Sequence, residues 1–125
     1  MSENEIEKEI VDICFRVHRD FGPGLFESVN EEIFCHELIK RKISFVHQQP
    51  IRLVHEEVKM DAGFRIDVIV ENKVIVELKS IDDLAPVHFK QVQTYLKLAG
   101  LKLGILVNFN VAMIRQGMHR VVNNL

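Results

Sequence analysis

The stretch FRIDVIVENKVIVELK, from Phe64 to Lys79, determines the predicted fold. It contains two runs rich in β-branched residues, Ile66–Val70 and Val74–Val76, on either side of the polar residues 71–73. Two such runs around a short polar break are typical of a β-hairpin. The sequence therefore predicts two adjacent antiparallel strands in the middle of the chain.

The register of this hairpin brings charged side chains together. If Val70 pairs with Val74, Asp67 lies directly opposite Glu77. Because side chains alternate along a strand, Glu77 and Lys79 share one face of the sheet. Two carboxylates beside an ammonium group suit a hard divalent cation that binds next to a phosphate. The alternative that this spacing leaves open is a salt bridge from Lys79 to one carboxylate at a sheet edge.

The apolar residues of the hairpin divide between the two faces of the sheet. Six of them are predicted on the face away from the carboxylates: Ile66, Val68, Val70, Val74, Val76 and Leu78. Ile69 and Ile75 share the face of the carboxylates, so we expect both faces to be largely apolar. Acidic groups at such places are costly unless they are paired or bound to a metal.

Composition and charge place the chain among soluble globular domains. It has 125 residues, of which 47% are hydrophobic and 27% charged, enough for one domain with its own core. The net charge of −2 argues against a protein that binds nucleic acid by bulk charge alone. No apolar run approaches the roughly 20 residues that span a membrane, and the acidic N-terminus lacks a signal-peptide pattern. Cys14 and Cys35 suit small buried side chains in a reducing compartment, so we expect a cytoplasmic protein.

Capping and breaker signals predict the remaining elements. Ser2 with Glu5 forms a capping box for a first helix that ends before Gly22. Pro86 and Gly100 mark the two ends of a later helix. The other predicted elements are a helix from Leu25 or Phe26 to Lys42, strands Ile43–Val46 and Ile51–Val58, a buried strand Leu103–Phe109, and a tail Val111–Val122 that suits strand or helix. A hairpin followed by a crossover helix and a buried strand predicts an α/β fold, with a mixed sheet flanked by helices.

This arrangement resembles the PD-(D/E)XK nuclease superfamily, whose shared restriction-endonuclease-like core is α-β-β-β-α-β. The acidic residue of that core's second strand matches Asp67, and the (D/E)-x-K of its third strand matches residues 77–79. A Q-x-x-x-Y in the following helix of one nuclease branch matches Gln91 and Tyr95, which lie at i and i+4 on one helix face. Three elements in this order are far more specific than any one of them alone.

The chain also resembles the small GxxExxxY family, which is itself placed in this superfamily by resemblance. The similarity runs from Ile10 to Val121 and rests on short segments: GPGLFE at 22–27, VIVELKS at 74–80, PVH at 86–88, Gln91, YLK at 95–97 and GILVNF at 104–109. Gly24 and Glu27 match the G-x-x-E part of the motif. The motif's tyrosine is missing, because Asn30 and Glu31 occupy the places where it would fall.

The resemblance implies a metal centre. Asp67 and Glu77 would bind Mg²⁺ or Mn²⁺, and Glu27 would be an outer ligand, often through water. Lys79 would orient or activate the attacking water and stabilise the charge that develops on the phosphate. Taken alone, Glu27 is equally an acid in the first turn of a helix, where it interacts favourably with the helix dipole.

Two further residues complete the implied site. The resemblance gives Gln91 and Tyr95 the task of holding Lys79 or the substrate backbone in place. Without it, these two residues also suit a polar stripe with one packed aromatic ring.

The activity that the resemblance implies is metal-dependent hydrolysis of DNA or RNA by a single domain spanning residues 1–125. The alternative is a catalytically inactive nuclease-fold module that binds nucleic acid or protein. We expect no membrane partner. The sequence leaves open a homodimer with two sites facing one duplex, which would supply the contact area that a chain of this size lacks.

Overall fold

A computed structural model describes the backbone of residues 1–125 and the side chains of all of them except 60–62. In chain order, its elements are α1 (Glu3–Phe21), α2 (Glu27–Lys40), β1 (Phe45–His55), β2 (Val58–Val70), β3 (Val74–Lys79), α3 (Pro86–Ala99), β4 (Leu103–Asn108), α4 (Ile114–Gly117) and β5 (Met118–Val122). The tail predicted as strand or helix thus contains both. Among the described residues, no helix combines the length and the apolar character needed to cross a membrane.

One five-stranded sheet runs through the molecule in the order β1-β2-β3-β4-β5. Neighbouring strands are antiparallel except for β3 and β4, which are parallel and connected through α3. Parallel neighbours require such a crossover, because a tight turn can only join antiparallel strands. The predicted mixed α/β fold is confirmed, and α2, β1, β2, β3, α3 and β4 supply the α-β-β-β-α-β core in order.

The hairpin between β2 and β3 has the predicted register. Val70 pairs with Val74, and Val68 pairs with Val76. The turn residues Glu71 and Asn72 have positive φ angles of 53° and 55°. Positive φ at both central residues gives a turn whose twist matches that of the two strands, which keeps the pairing regular up to the turn.

Local chemistry sets the ends of the first two helices. Ser2 Oγ accepts a hydrogen bond from the Glu5 N–H at 3.2 Å, and Glu5 Oε1 accepts one from the Ser2 N–H at 3.0 Å. This confirms the predicted capping box. The second helix ends at Lys40, two residues before the predicted end. Lys42 adopts a left-handed φ of 58°, which a continuing helix does not allow.

β1 is one continuous strand, Phe45–His55, whereas the sequence predicted two shorter strands ending at Val46 and Val58. The predicted start of a new strand after Pro50 is wrong, because Pro50 lies inside β1. Since β1 is an edge strand, one side of its backbone needs no partner, and such a strand tolerates a proline. The pairing with β2 shifts register between Pro50 and Arg52, so the proline leaves an irregularity without ending the strand.

Two apolar clusters cover the two faces of the sheet. The first joins α1, α2 and α4 to one face and includes Phe34, Leu38, Val68, Val76, Leu78 and Phe109. The second joins α3 to the other face and includes Ile69, Ile75, Tyr95, Leu96 and Leu106. Ile66 lies in the second cluster, so its predicted face is wrong. The β2–β3 pairing ends at Val68, so the register of the hairpin no longer fixes the face on which Ile66 lies.

Candidate active site

The candidate site lies where β2 and β3 separate. Their backbone pairing ends with Val68 and Val76, and beyond this pair the side chains replace it. The Asp67 N–H donates to Glu77 Oε1 at 3.1 Å, and the Leu78 N–H donates to Asp67 Oδ2 at 2.9 Å. Each carboxylate is therefore fixed through one oxygen by the backbone of the opposite strand. The structure brings the two acids together, as the hairpin register predicts.

The carboxyl group of Glu77 is almost completely buried. The residue is 4% exposed. Burial raises the pKa of Glu77 to about 9, and the negative charge of Asp67 adds to the rise. The ammonium group of Lys79 acts in the opposite direction. Since a buried acid prefers its neutral form unless positive charge is close, this pair of carboxyl groups would be stabilised by a bound cation.

Lys79 approaches the carboxyl pair without forming an ion pair. Its charge acts on Glu77, yet no described acidic side chain lies within 4.0 Å of its ammonium nitrogen. β3 is the central strand of the sheet, so the alternative of a salt bridge at a sheet edge does not describe this arrangement. The half-buried Lys79 keeps N–H donors available for an anionic oxygen or a water.

Helix α3 carries Gln91 and Tyr95 and packs on the face of the sheet that includes Ile69 and Ile75. Tyr95 is 4% exposed and packs against Phe64, with the ring centroids 6.0 Å apart. Burial raises the pKa of the Tyr95 hydroxyl to about 12, the charges of Glu77 and Asp67 contribute, and Gln91 acts in the opposite direction. Of the two residues predicted from the helical motif, Tyr95 thus lies near the carboxyl pair, and Gln91 forms a hydrogen bond with Tyr95.

Helix α2 contributes an acid that the sequence analysis did not select. The side chain of Glu31 is 15% exposed. Its two carboxylate oxygens accept hydrogen bonds from Gln48 Nε2 at 2.8 Å and 3.0 Å, and the same nitrogen lies 3.4 Å from Asp67 Oδ1. Burial raises the pKa of Glu31, and Asp67 adds to this effect while the hydrogen bond from Gln48 opposes it. Glu31 and Asp67 therefore share one cluster.

Glu27, the acid that the resemblance selected, lies one turn earlier in α2. It is exposed, and among the described side chains it makes no hydrogen bond or ion pair with the carboxyl pair. The spacing of Glu27 and Glu31 at i and i+4 was the available signal, because it puts both acids on one side of the helix. Gln48 carried no such signal, since its contact depends on a local distortion of β1.

The sequence matches a known family over almost its whole length. The model of the PD-(D/E)XK nuclease superfamily covers residues 4–121. The chain belongs to this superfamily. Membership in the PD-(D/E)XK superfamily indicates a nuclease-type function and, with it, binding of nucleic acid. No curated protein and no solved structure gives a significant match.

The donors of this PD-(D/E)XK site fit a hard divalent cation. Asp67 and Glu77 supply carboxylate oxygens, which Mg²⁺ and Mn²⁺ prefer, and the two carboxyl groups lie close enough to interact with each other. The described side chains contain no group of three His, Cys, Asp or Glu residues already arranged around a metal position. Mg²⁺ needs only one or two carboxylates because it keeps several of its waters, so the pair suffices.

Helix α2 also buries an amide, that of Asn30, directly before Glu31 in the sequence. Asn30 is 1% exposed, on the side of α2 that also buries Phe34 and Leu38. Neither Oδ1 nor Nδ2 of Asn30 has a hydrogen-bond partner among the described residues. A buried polar group without a partner destabilises a fold by about 1–3 kcal/mol. In this PD-(D/E)XK chain, a polar group thus faces an apolar core at a position close to the site.

Proposed function

We propose that this protein is a metal-dependent nuclease that hydrolyses phosphodiester bonds of DNA or RNA. The observation that carries the proposal is the separation of β2 and β3, where Asp67 and Glu77 are fixed side by side and Lys79 stays outside any described ion pair. Two carboxylates can bind a cation while the lysine faces an anionic oxygen. Phosphodiester hydrolysis requires both tasks.

Asp67 and Glu77 would hold Mg²⁺ or Mn²⁺, an ion that supplies polarisation of a phosphoryl oxygen and a water of lowered pKa. For this, Glu77 has to release the proton that burial favours, so cation binding competes with protonation of its carboxyl group. The N–H groups of Asp67 and Leu78 keep one oxygen of each carboxylate in place meanwhile.

The remaining residues have supporting tasks in the proposal. Lys79 orients the attacking water and stabilises the negative charge that develops on the phosphate. Gln91 and Tyr95 hold Lys79 or the substrate backbone in position. Glu27, exposed at the start of α2, acts as an outer ligand through water, with Glu31 closer to Asp67.

The proposal extends to family and assembly. The GxxExxxY segments support assignment to that family, and residues 1–125 form a single nuclease-like domain whose two apolar clusters share one sheet. The partner is DNA or RNA. Two copies facing one duplex would enlarge the contact area, which a chain of net charge −2 needs more than a strongly basic one does.

Calorimetric titration of Mn²⁺ tests the metal site. We expect the wild-type protein to bind the ion and the double variant Asp67→Ala with Glu77→Ala to lose that binding. A matched control is Glu56→Ala with Glu57→Ala, which removes the same charges from the turn between β1 and β2. Mn²⁺ binding that survives in the site variant would contradict the proposal.

The role of Lys79 gives a separate prediction. Lys79→Ala should abolish cleavage and leave the fold and the Mn²⁺ affinity largely unchanged, because the lysine acts on phosphate and water and not as a metal ligand. Lys97→Ala, on the exposed side of α3, is the control. If Lys79→Ala cleaves nucleic acid at the wild-type rate, the mechanism is wrong.

The second candidate is a catalytically inactive module that binds nucleic acid or protein. It is favoured by the burial of Glu77, since a neutral buried acid can act as a structural hydrogen-bonding group. The change in melting temperature on addition of Mn²⁺ distinguishes the nuclease from the inactive module. A site that binds the ion gains stability by mass action, and a purely structural cluster does not.

A further inference from the structure

Gln48, in the edge strand β1, has a backbone conformation that residues with side chains rarely adopt. Its φ is +51°, in the left-handed region that glycine enters freely. The residues on either side of Gln48 pair regularly with Val68 and Ile66 of β2. The left-handed residue therefore lies at the position that faces Asp67, between two regularly paired neighbours.

The side-chain amide of Gln48 contacts Glu31 and Asp67. Its Nε2 lies 2.8 Å and 3.0 Å from the two carboxylate oxygens of Glu31 and 3.4 Å from Asp67 Oδ1. One donor group thus stands between two acids that otherwise repel each other. Because the amide is neutral, it holds both acids without the positive charge by which a lysine or arginine there would compete with a cation.

The backbone of Gln48 is held from the other side. Arg65 Nη1 donates to the Gln48 carbonyl oxygen at 3.3 Å. This contact restrains the distorted segment of β1 from the same strand, β2, that carries Asp67. The amide and the carboxylate that it contacts are therefore fixed relative to one another.

We infer that Gln48 is a positioning residue of the nuclease site, which orients Asp67 and draws Glu31 toward it for cation binding. The inference rests on the proposed function. The Leu78 N–H holds Asp67 Oδ2, and Gln48 contacts Oδ1, so the plane of this carboxylate is set from both oxygens. Groups that orient a metal ligand in this way typically change metal affinity about 10- to 100-fold when they are removed.

The variant Gln48→Gly separates the left-handed backbone of this residue from its side-chain amide. Glycine accepts the left-handed backbone and lacks the amide. We expect the Kd for Mn²⁺ to rise at least about 10-fold. In the metal-free protein, relief of the strained backbone offsets the loss of the amide hydrogen bonds, so the melting temperature should stay near that of the wild type. Gln49→Ala is the matched control, because this neighbouring glutamine contacts neither carboxylate and should leave the Mn²⁺ affinity unchanged.

Two further variants test the same point. Gln48→Asn keeps an amide and tolerates the left-handed backbone, but is one methylene shorter, so its Mn²⁺ affinity should also fall. This variant serves if Gln48→Gly does not fold. Combining Gln48→Gly with Glu31→Gln should weaken Mn²⁺ binding by less than the product of the two single effects, because the residues act together.

The outcomes of these measurements are distinct. A lower metal-free melting temperature with unchanged Mn²⁺ affinity would mean that Gln48 is purely structural and would overturn the inference. Mn²⁺ binding by the wild type and equal binding by Gln48→Gly and Gln48→Asn would overturn the inference alone. A wild type without Mn²⁺ binding would overturn the proposed function and the inference with it.

Discussion

The carboxyl group of Glu77 makes the stability of the metal-free protein depend on pH. Its pKa is about 9 in the folded protein, against an ordinary value of 4.5. Between these two values, the folded state keeps a proton that the unfolded state releases, so rising pH favours unfolding. The stabilising contribution is complete below pH 4.5 and is lost as the pH rises through 9. One proton changes the free energy of unfolding by at most about 1.4 kcal/mol per pH unit.

The variant Glu77→Gln should remove this dependence, because its amide resembles the neutral acid at every pH. Without metal, we expect Glu77→Gln to be more stable than the wild type at pH 8, by at most about 5 kcal/mol, and to approach it at pH 5. Chemical denaturation at both values in a metal-chelating buffer measures this. Glu57→Gln, in an exposed turn, is the control. A wild type that gains stability between pH 5 and pH 8 more steeply than Glu77→Gln would contradict the assignment.

The buried amide of Asn30 leads to a prediction about the stability of the protein. Asn30→Leu replaces two polar atoms that lack partners with an apolar group of similar size, so we expect it to raise the free energy of unfolding by about 1–3 kcal/mol. Asn30→Asp should lower it, because it buries a charge. Denaturant titration checks both variants. A loss of stability in Asn30→Leu would show that the amide has a partner in solution, such as a buried water.

Helix α3 carries Gln91 and Tyr95, and its distance from the sheet depends on a glycine in β4. A Cβ atom added at Gly104 would come within 2.6 Å of Val92 Cγ1, closer than side chains pack. The absence of a side chain at this position therefore lets α3 lie close to the sheet, and the two motif residues with it.

Gly104→Ala should push α3 away from β4 and destabilise the protein by about 1–3 kcal/mol, as overpacking does. Combining it with Val92→Ala should restore part of the loss, because the second change removes the atom that the new Cβ meets. Thermal denaturation of both variants measures the effect. Equal stability of Gly104→Ala and wild type would mean that α3 adapts without strain.

Some helices and strands can be predicted from the sequence and others cannot. The difference is whether the signal for an element lies in its own residues or in the assembled sheet. The β2–β3 hairpin and the helix Pro86–Ala99 were predicted correctly, because β-branched runs, a polar turn and terminal Pro and Gly residues act locally. β1 was divided wrongly at Pro50, since tolerance of a proline depends on whether a strand lies at the sheet edge. That property belongs to the assembled sheet and has no local signal.

The same distinction applies to the candidate site. The facing of Asp67 and Glu77 follows from the hairpin register and was therefore predictable. Glu31 comes close to Asp67 because of the way α2 packs across the sheet. Gln48 reaches both acids because its own backbone is left-handed. A pattern of residue types predicts neither the packing of a helix nor a single backbone angle. The resemblance therefore selected Glu27, one turn away from Glu31, the acid that lies near Asp67.

The charge of the whole molecule predicts how it binds nucleic acid. With a net charge of −2, few phosphates can be neutralised at once. We expect the affinity for DNA or RNA to depend on the divalent cation and only weakly on salt, with a log–log slope smaller in magnitude than about 3. Fluorescence anisotropy of Lys79→Ala with Mn²⁺ over a series of salt concentrations measures this slope. A magnitude of about 6 or more would indicate an extended basic surface instead.

The edges of the sheet bear on whether the protein aggregates. An unpaired edge strand presents free N–H and C=O groups on which another chain can build a cross-β stack. In β1, Pro50 and the left-handed Gln48 interrupt this row of groups. At the opposite edge, β5 is only five residues long and carries Arg120, which is held by Glu7 at 2.9 Å. Both edges thus resist the addition of a further strand, and a second copy of the chain would have to associate through another surface.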